Sequence, residues 1–264
     1  MGRADRERLR LTFDEVPDLY DKARPVYPDE VFDDIVALAR LATHARVLEI
    51  GCGTGQATLP LARRGFELTC VELGAQLATV ARRKLAAFAK VEIVNANFET
   101  WDPGGRRFDA VVAFTAFRWV DPELRYAKSA AVLDEEGRLA VVDTQHVWPD
   151  GTDPFWAEVQ EDYDAVAPDP ENRPPPRPDA VGDLSAEIAA SGRFENVAAR
   201  RFLWDVTYTA DEYIAVLDTY SGHRSFDDDT RRRLYERIHS RIEARPGATV
   251  SKTYLATLNV ARRV

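Results

Sequence analysis

Val47-Leu-Glu-Ile-Gly-Cys-Gly-Thr-Gly-Gln56 is the stretch that decides the fold. It closes an apolar run, Ala45-Arg-Val-Leu-Glu-Ile50, that reads as a buried strand, and it leads into a helical stretch over 56–64 ended by Gly65. Glycines at 51, 53 and 55 let a backbone turn come close to a ligand. The third glycine of a dinucleotide fingerprint is replaced by Gln56, which counts against NAD, and no Gly-Lys-Ser/Thr follows, so this is not a P-loop. The next strand, Phe66–Glu72, ends on an acid. A carboxylate there can accept both hydroxyls of a ribose. Together the residues point to a nucleoside-containing cofactor lying across the carboxyl ends of the strands.

Outward from this unit, strands and helices alternate. A helix over 28–43 buries Val31, Ile35 and Leu38 on one face and precedes the first strand. Helix 75–88, strand Val91–Val94, strand Phe108–Phe114, helix 122–132 and strand Arg138–Asp143 follow. Such alternation predicts an α/β fold, a doubly wound, mostly parallel sheet with helices on both faces. After 145 the pattern changes. Prolines 168, 170, 174, 175, 176 and 178 mark a surface connection. Two long strands come late, over 196–208 and 249–262; in the second, Tyr254, Ala256, Leu258 and Val260 alternate with Leu255, Thr257 and Asn259. Helices at 210–220 and 227–244 lie between them, the second with an Asp227-Asp-Asp229 start that suits the helix dipole and an Arg231-Arg-Arg233 run read as a solvated face. We expect a seven-stranded core from 1–145 and 196–264, with mainly helical cap segments from 146–195 and 210–245, as one compact unit.

The chain has 264 residues, 35 Lys+Arg against 44 Asp+Glu, and a formal net charge of −9. That length supports a large core without disulfide or metal staples. The acidic balance argues against a nucleic-acid partner. Two cysteines, Cys52 and Cys70, make neither a disulfide framework nor a zinc knuckle. No apolar run approaches the ~20 residues of a membrane span, and the N-terminus lacks the apolar core of a signal peptide, so a cytoplasmic location and no membrane partner are expected.

The chain resembles the class I S-adenosylmethionine-dependent methyltransferases. Glu49-x-Gly51-x-Gly53-x-Gly55 is similar to their first motif, and the resemblance extends over residues 10–145 and to the long final antiparallel strand. It implies S-adenosylmethionine as cofactor and S-adenosylhomocysteine as product. The glycine turn with Gln56 would cradle the methionine part, Glu72 would take the ribose, Leu73 would pack on the adenine, and Asn97-Phe98 would sit beside it, with Asn in place of the family's Asp. Thr115 falls near the sulfonium position. Phe13, Tyr20, Arg24-Pro25 and Tyr27-Pro28 look like the opening segment of a bacterial subgroup of small-molecule methyltransferases, where it folds over the cofactor. There Arg24 would pair with the methionine carboxylate, or simply cap the first helix. Arg118-Trp119 stands where relatives often carry His-Trp; Trp119 is either pocket wall or core.

Methyl transfer from a sulfonium needs alignment above all, and a base only where the nucleophile carries a proton. Of the histidines, His44 and His239 read as surface groups, while His146 and His223 could be bases or hydrogen-bonding cap residues. Trp148, Phe155 and Tyr220 could wall a planar acceptor together with Trp119. No metal site is expected. The reading is methyl transfer to a small molecule, possibly a secondary metabolite, by a monomer or homodimer. The alternatives are a non-methylating reaction, such as a cyclisation, on the same cofactor fold, and a macromolecular acceptor.

Overall fold

The computed structural model describes residues 3–168 and 173–264; Met1, Gly2 and Pro170 of the proline-rich connection lie outside them. Seven strands form one sheet in the order β3-β2-β1-β4-β5-β7-β6. They are β1 (Arg46–Ile50), β2 (Glu67–Glu72), β3 (Val91–Asn95), β4 (Phe108–Phe114), β5 (Leu133–Val147), β6 (Phe194–Thr209) and β7 (Thr249–Arg263). β1 to β5 pair in parallel and β7 runs antiparallel between β5 and β6, so the sheet is mixed.

The helices are α1 (Arg3–Leu11), α2 (Pro17–Ala23), α3 (Asp29–Ala39), α4 (Thr58–Arg63), α5 (Ala75–Lys84), α6 (Arg125–Val132), α7 (Phe155–Glu158), α8 (Gln160–Val166), α9 (Ser185–Ala190), α10 (Ala210–Leu217), α11 (Ser221–Arg224) and α12 (Asp228–Glu243). Strand alternation separates two cores. Val47, Ala110, Val112, Ala140 and Val142 pack with Phe32 and Ile35 of α3 and Leu61 of α4. Leu48, Ile50, Val111, Leu139 and Val141 pack with Tyr126, Ala130 and Val132 of α6 and Ile188 of α9. Helices on both faces make the doubly wound arrangement.

A third core lies above the sheet. Phe155, Trp156, Tyr213, Leu217, Leu234 and Ile238 join Val250 and Tyr254 of β7. α12 is tied to α8 by Arg237 and Arg241 on the buried carboxylate of Asp162, at 3.1 and 2.5 Å. α10 opens with a capping box between Thr209 and Glu212, and α12 with Asp227 accepting from the Thr230 N–H at 3.0 Å. Arg232 pairs with Asp229 and Glu236 at helical spacing on an exposed face, as read for the arginine run.

Among the boundaries that differ from the sequence reading, two shape the region above the sheet. β5 does not stop at Asp143 but continues to Val147, because β7 pairs with it as far as Val147–Thr253. Segment 146–195 does not stay above the sheet: the Leu184 N–H donates to Asn259 Oδ1 at 3.1 Å, and Ile188 is buried in the second core. α9 is therefore part of the core layer.

Candidate active site

Parallel register brings the carboxyl ends of β1, β2 and β4 level. Ile50 pairs with Val71 and with Ala113, and Glu72 with Asn95. Everything that follows these strands therefore collects on one edge. Gly51 leaves β1 at φ +66, and a Cβ built there would lie 2.7 Å from the Ala116 Cβ. The position demands glycine for conformation and for space. Gly53, at φ +57, faces the Tyr20 ring.

Glu72 ends β2 inside this turn, and 6% of its surface is exposed. Its two oxygens accept the N–H groups of Gly53 and Gly74, each at 2.8 Å. Each oxygen keeps a second acceptor site, which suits a ribose diol. Burial raises the Glu72 pKa, and the two backbone N–H groups oppose that rise. Glu49 lies deeper. It accepts from Thr58 Oγ1 at 2.7 Å, and burial raises its pKa to about 7.

These groups open on a cavity of about 660 Å³. Its walls include Tyr20, Arg24, Glu49, Gly51, Gly53, Gln56, Glu72, Leu73, Asn97, Phe98, Thr115 and Trp119, which are the cofactor residues expected from the sequence together with one expected acceptor residue. The opening segment closes over it. Asp14 accepts from the Gln76 and Leu77 N–H groups at the start of α5, both at 2.8 Å, and Arg10 pairs with Glu99 at 2.8 Å. Phe13 packs edge-on against Trp119, with ring centroids 5.3 Å apart, so Trp119 is wall. Thr115, at φ +56, shares a 3.0 Å hydrogen bond with the Tyr27 hydroxyl. Burial pushes that phenol to about 12.

Two expected contacts are partly spent within the protein. The Asn97 amide oxygen already accepts the Glu99 N–H at 2.9 Å. Arg24 donates to the Thr219 carbonyl at 2.7 Å and lies over the Tyr20 and Tyr220 rings, so it ties the opening segment to the cap; its Nε has no partner among the described residues.

The far half of the cavity comes from paired strands and cap helices. Cross-strand register places His146 on β5 beside Tyr254 on β7, and Tyr254 beside Trp204 on β6. Trp204 and Tyr254 stack with centroids 5.3 Å apart. Trp156, Tyr163, Tyr213, Tyr220 and His223 complete the wall from above. His146 and His223 thus share one cavity, but neither suits a base. Burial first, and then the Lys252 charge, push them down to about 2 and about 3. His223 is bonded to the Tyr163 hydroxyl at 2.9 Å, and His146 stands edge-on to Trp156.

Two residues expected on the wall are elsewhere. Phe155 is fully buried in the third core, under Arg245 and against Tyr213, and Trp148 donates its indole N–H to the Asp153 carbonyl at 3.1 Å. The adjacent Trp156 takes the wall position, because one step along a helix turns a side chain by ~100°. The sequence reading missed Trp156, Trp204, Tyr213 and Lys252. A signal for Lys252 existed: it lies two residues before Tyr254, on the alternating buried face of the last strand.

Comparison with known proteins now bears on this site. Residues 47–137 match the family model described as a methyltransferase domain. The match spans 91 of the 264 residues and identifies a methyltransferase domain, in keeping with the resemblance to the class I S-adenosylmethionine-dependent methyltransferases. The chain is 31% identical over 137 residues to an uncharacterized methyltransferase of Mycobacterium tuberculosis, covering 52% of this chain and 54% of the relative. Over 81 residues it is 37% identical to a magnesium-protoporphyrin O-methyltransferase of Rhodobacter capsulatus, covering 30% of this chain and 36% of that one. The chain thus spans about half the length, or less, of these curated relatives. In fold it is similar to a structure titled a putative type II methyltransferase from Anaeromyxobacter dehalogenans, with a TM-score of 0.62 and 22% identity over 90% of this chain and 97% of the other. Among the described residues, no His, Cys, Asp or Glu group could hold a metal ion, and no helix is long and apolar enough to cross a membrane.

Proposed function

We propose that this protein binds S-adenosylmethionine in the half of the cavity around Glu72 and moves its methyl group to a small molecule seated in the half around Tyr254. The observation that carries this reading is the Glu72 carboxylate, buried, oriented by two backbone N–H groups and set against a glycine turn that a Cβ would block. When bound, the cofactor supplies an already activated methyl on a sulfonium. The protein then has to hold two molecules in line and keep water out. Glu72 fixes the nucleoside end, and Gly51 and Gly53 let the backbone approach the chain that bears the sulfur. Phe13 and Tyr20 of the opening segment close the pocket, with Phe13 packed against Trp119 beyond β4. The acceptor is small because about 660 Å³ must hold both reactants beneath helices α7, α8 and α10.

The test is calorimetric titration with S-adenosylhomocysteine, for the parent and for Glu72→Ala. Micromolar binding that the variant loses supports the reading. A folded parent that does not bind overturns it. Transfer of labelled methyl to members of a small-molecule library, with none to bulk RNA or protein, would then test the acceptor class.

A further inference from the structure

The acceptor half of the cavity has the opposite charge to the molecule around it. The chain carries a net charge of −9. Among the described residues, the only carboxylates lining the cavity are Glu49, Glu72 and Glu99, and all three belong to the cofactor half. The acceptor half presents Arg173 and Lys252, and Arg24, one of the expected cofactor residues, lies between the halves over the Tyr20 and Tyr220 rings.

Lys252 is the unusual member, with 2% of its surface exposed in the first, turn-proximal part of β7. Among the described residues no carboxylate pairs with it. Its Nζ donates to the Tyr220 hydroxyl at 2.9 Å and lies 4.9 to 6.0 Å from the ring centres of Tyr220, Tyr254, Tyr213 and Trp156. Ring faces and one hydroxyl soften the loss of water around an ammonium but supply no counter-charge. An apolar side chain would fill the same space without that loss, so packing alone does not account for a lysine here. An ammonium has three donors, and one is used within the protein. Two more polar atoms of wall residues, His146 Nε2 and Trp204 Nε1, are buried with no hydrogen-bond partner among the described residues. Buried polar groups without partners are uncommon in folded chains, and these two belong to residues that line the cavity.

Building on the methyltransferase reading, we propose that Lys252 is the recognition cation for an acidic group on the acceptor. The acceptor is then a small, flat organic acid. Its acid group meets Lys252 Nζ beside the Tyr220 hydroxyl, and its body lies against the stacked Trp204 and Tyr254 rings. Two cations near Tyr220, Lys252 and Arg24, outweigh burial and lower its phenol pKa, in keeping with a pocket that favours negative charge.

The experiment is calorimetric titration of the full chain with 4-hydroxybenzoate, 4-hydroxycinnamate and indole-3-acetate, each beside its carboxamide. Each is titrated with and without saturating S-adenosylhomocysteine. At least one acid should bind ~10-fold or more tightly than its amide. That preference should vanish in Lys252→Met and return in part in Lys252→Arg. Equal binding of acid and amide, or no binding of any acid at millimolar concentration, overturns the proposal. A preference that survives in Lys252→Met overturns the role of Lys252. Should Lys252→Met not fold, Tyr220→Phe keeps the ring and removes the hydroxyl bonded to Lys252, and an unchanged preference there counts against the pocket. A parent that fails to bind S-adenosylhomocysteine condemns the cofactor reading, while the titrations without it still decide the acid pocket.

Discussion

The two halves of the cavity are built on different physical plans. The cofactor half is made at strand ends. Gly51, Glu72, Asn97 and Thr115 each lie within a few residues of the carboxyl end of β1, β2, β3 or β4, and the chemistry is carried by acids and backbone N–H groups. The acceptor half is made within strands and beneath helices. Its row Trp204–Tyr254–His146 crosses β6, β7 and β5, and its charge is cationic. A strand end keeps its role as long as the local turn is kept. A mid-strand residue depends on register with strands far along the chain, because a slip of one residue turns it to the other face.

The largest expected effect breaks the cofactor half alone. Glu72→Ala should weaken S-adenosylhomocysteine binding ~100-fold, about 3 kcal/mol, through loss of charge-assisted hydrogen bonds to the ribose. Binding of an acceptor-half probe such as 4-hydroxybenzoate should change little, and parallel loss of both would show that the halves are one unit.

A pH experiment sharpens the contrast. Glu49 has its pKa raised by burial from 4.5 to about 7. A raised carboxyl keeps its proton in the folded state while the unfolded chain ionises. Its contribution to stability is therefore full below about pH 4.5 and is lost as pH rises to about 7. The loss is at most about 3 kcal/mol. Glu49→Gln should remove that slope, read as the difference between the two unfolding free energies across this window. Parallel pH profiles would show that Glu49 is not held protonated.

A smaller effect is expected at the turn. Gly51→Ala forces a Cβ into a left-handed position and against Ala116. A cost of about 2 kcal/mol is expected, seen as a lower melting midpoint with weaker S-adenosylhomocysteine binding. An unchanged midpoint would mean that the turn relaxes freely. The smallest effect separates wall from core beneath the cap. Phe155→Leu should cost about 1 kcal/mol of stability and leave both S-adenosylhomocysteine and acid titrations unchanged. Altered acid binding would return Phe155 to the wall.

How much could be read beforehand follows the same division. The alternation of strands and helices, the glycine turn, Glu72 and the opening segment are signals spanning a few residues each, and the cavity brings their side chains together. The end of β5 was misplaced because residues 144–147 are held by pairing with β7, not by their own pattern. Whether His146 and His223 face one cavity is not legible in the sequence; the fold puts both on the same wall. Their weakness as bases comes from burial beside Lys252, and that charge reaches them only in the folded chain. Trp148 and Phe155 read as wall residues while Trp156 goes unnoticed, because residue type alone does not say which way a short helix faces.

The sequence by itself determined the parallel strands, the glycine turn and the acid that ends β2, because hydrophobic period and turn chemistry act over neighbouring residues. Only the tertiary structure decided that a lysine of the last strand, a tyrosine of the cap and a tryptophan of β6 face one cavity. Those residues are set together by strand register and helix packing over long separations, and no local pattern encodes such a meeting.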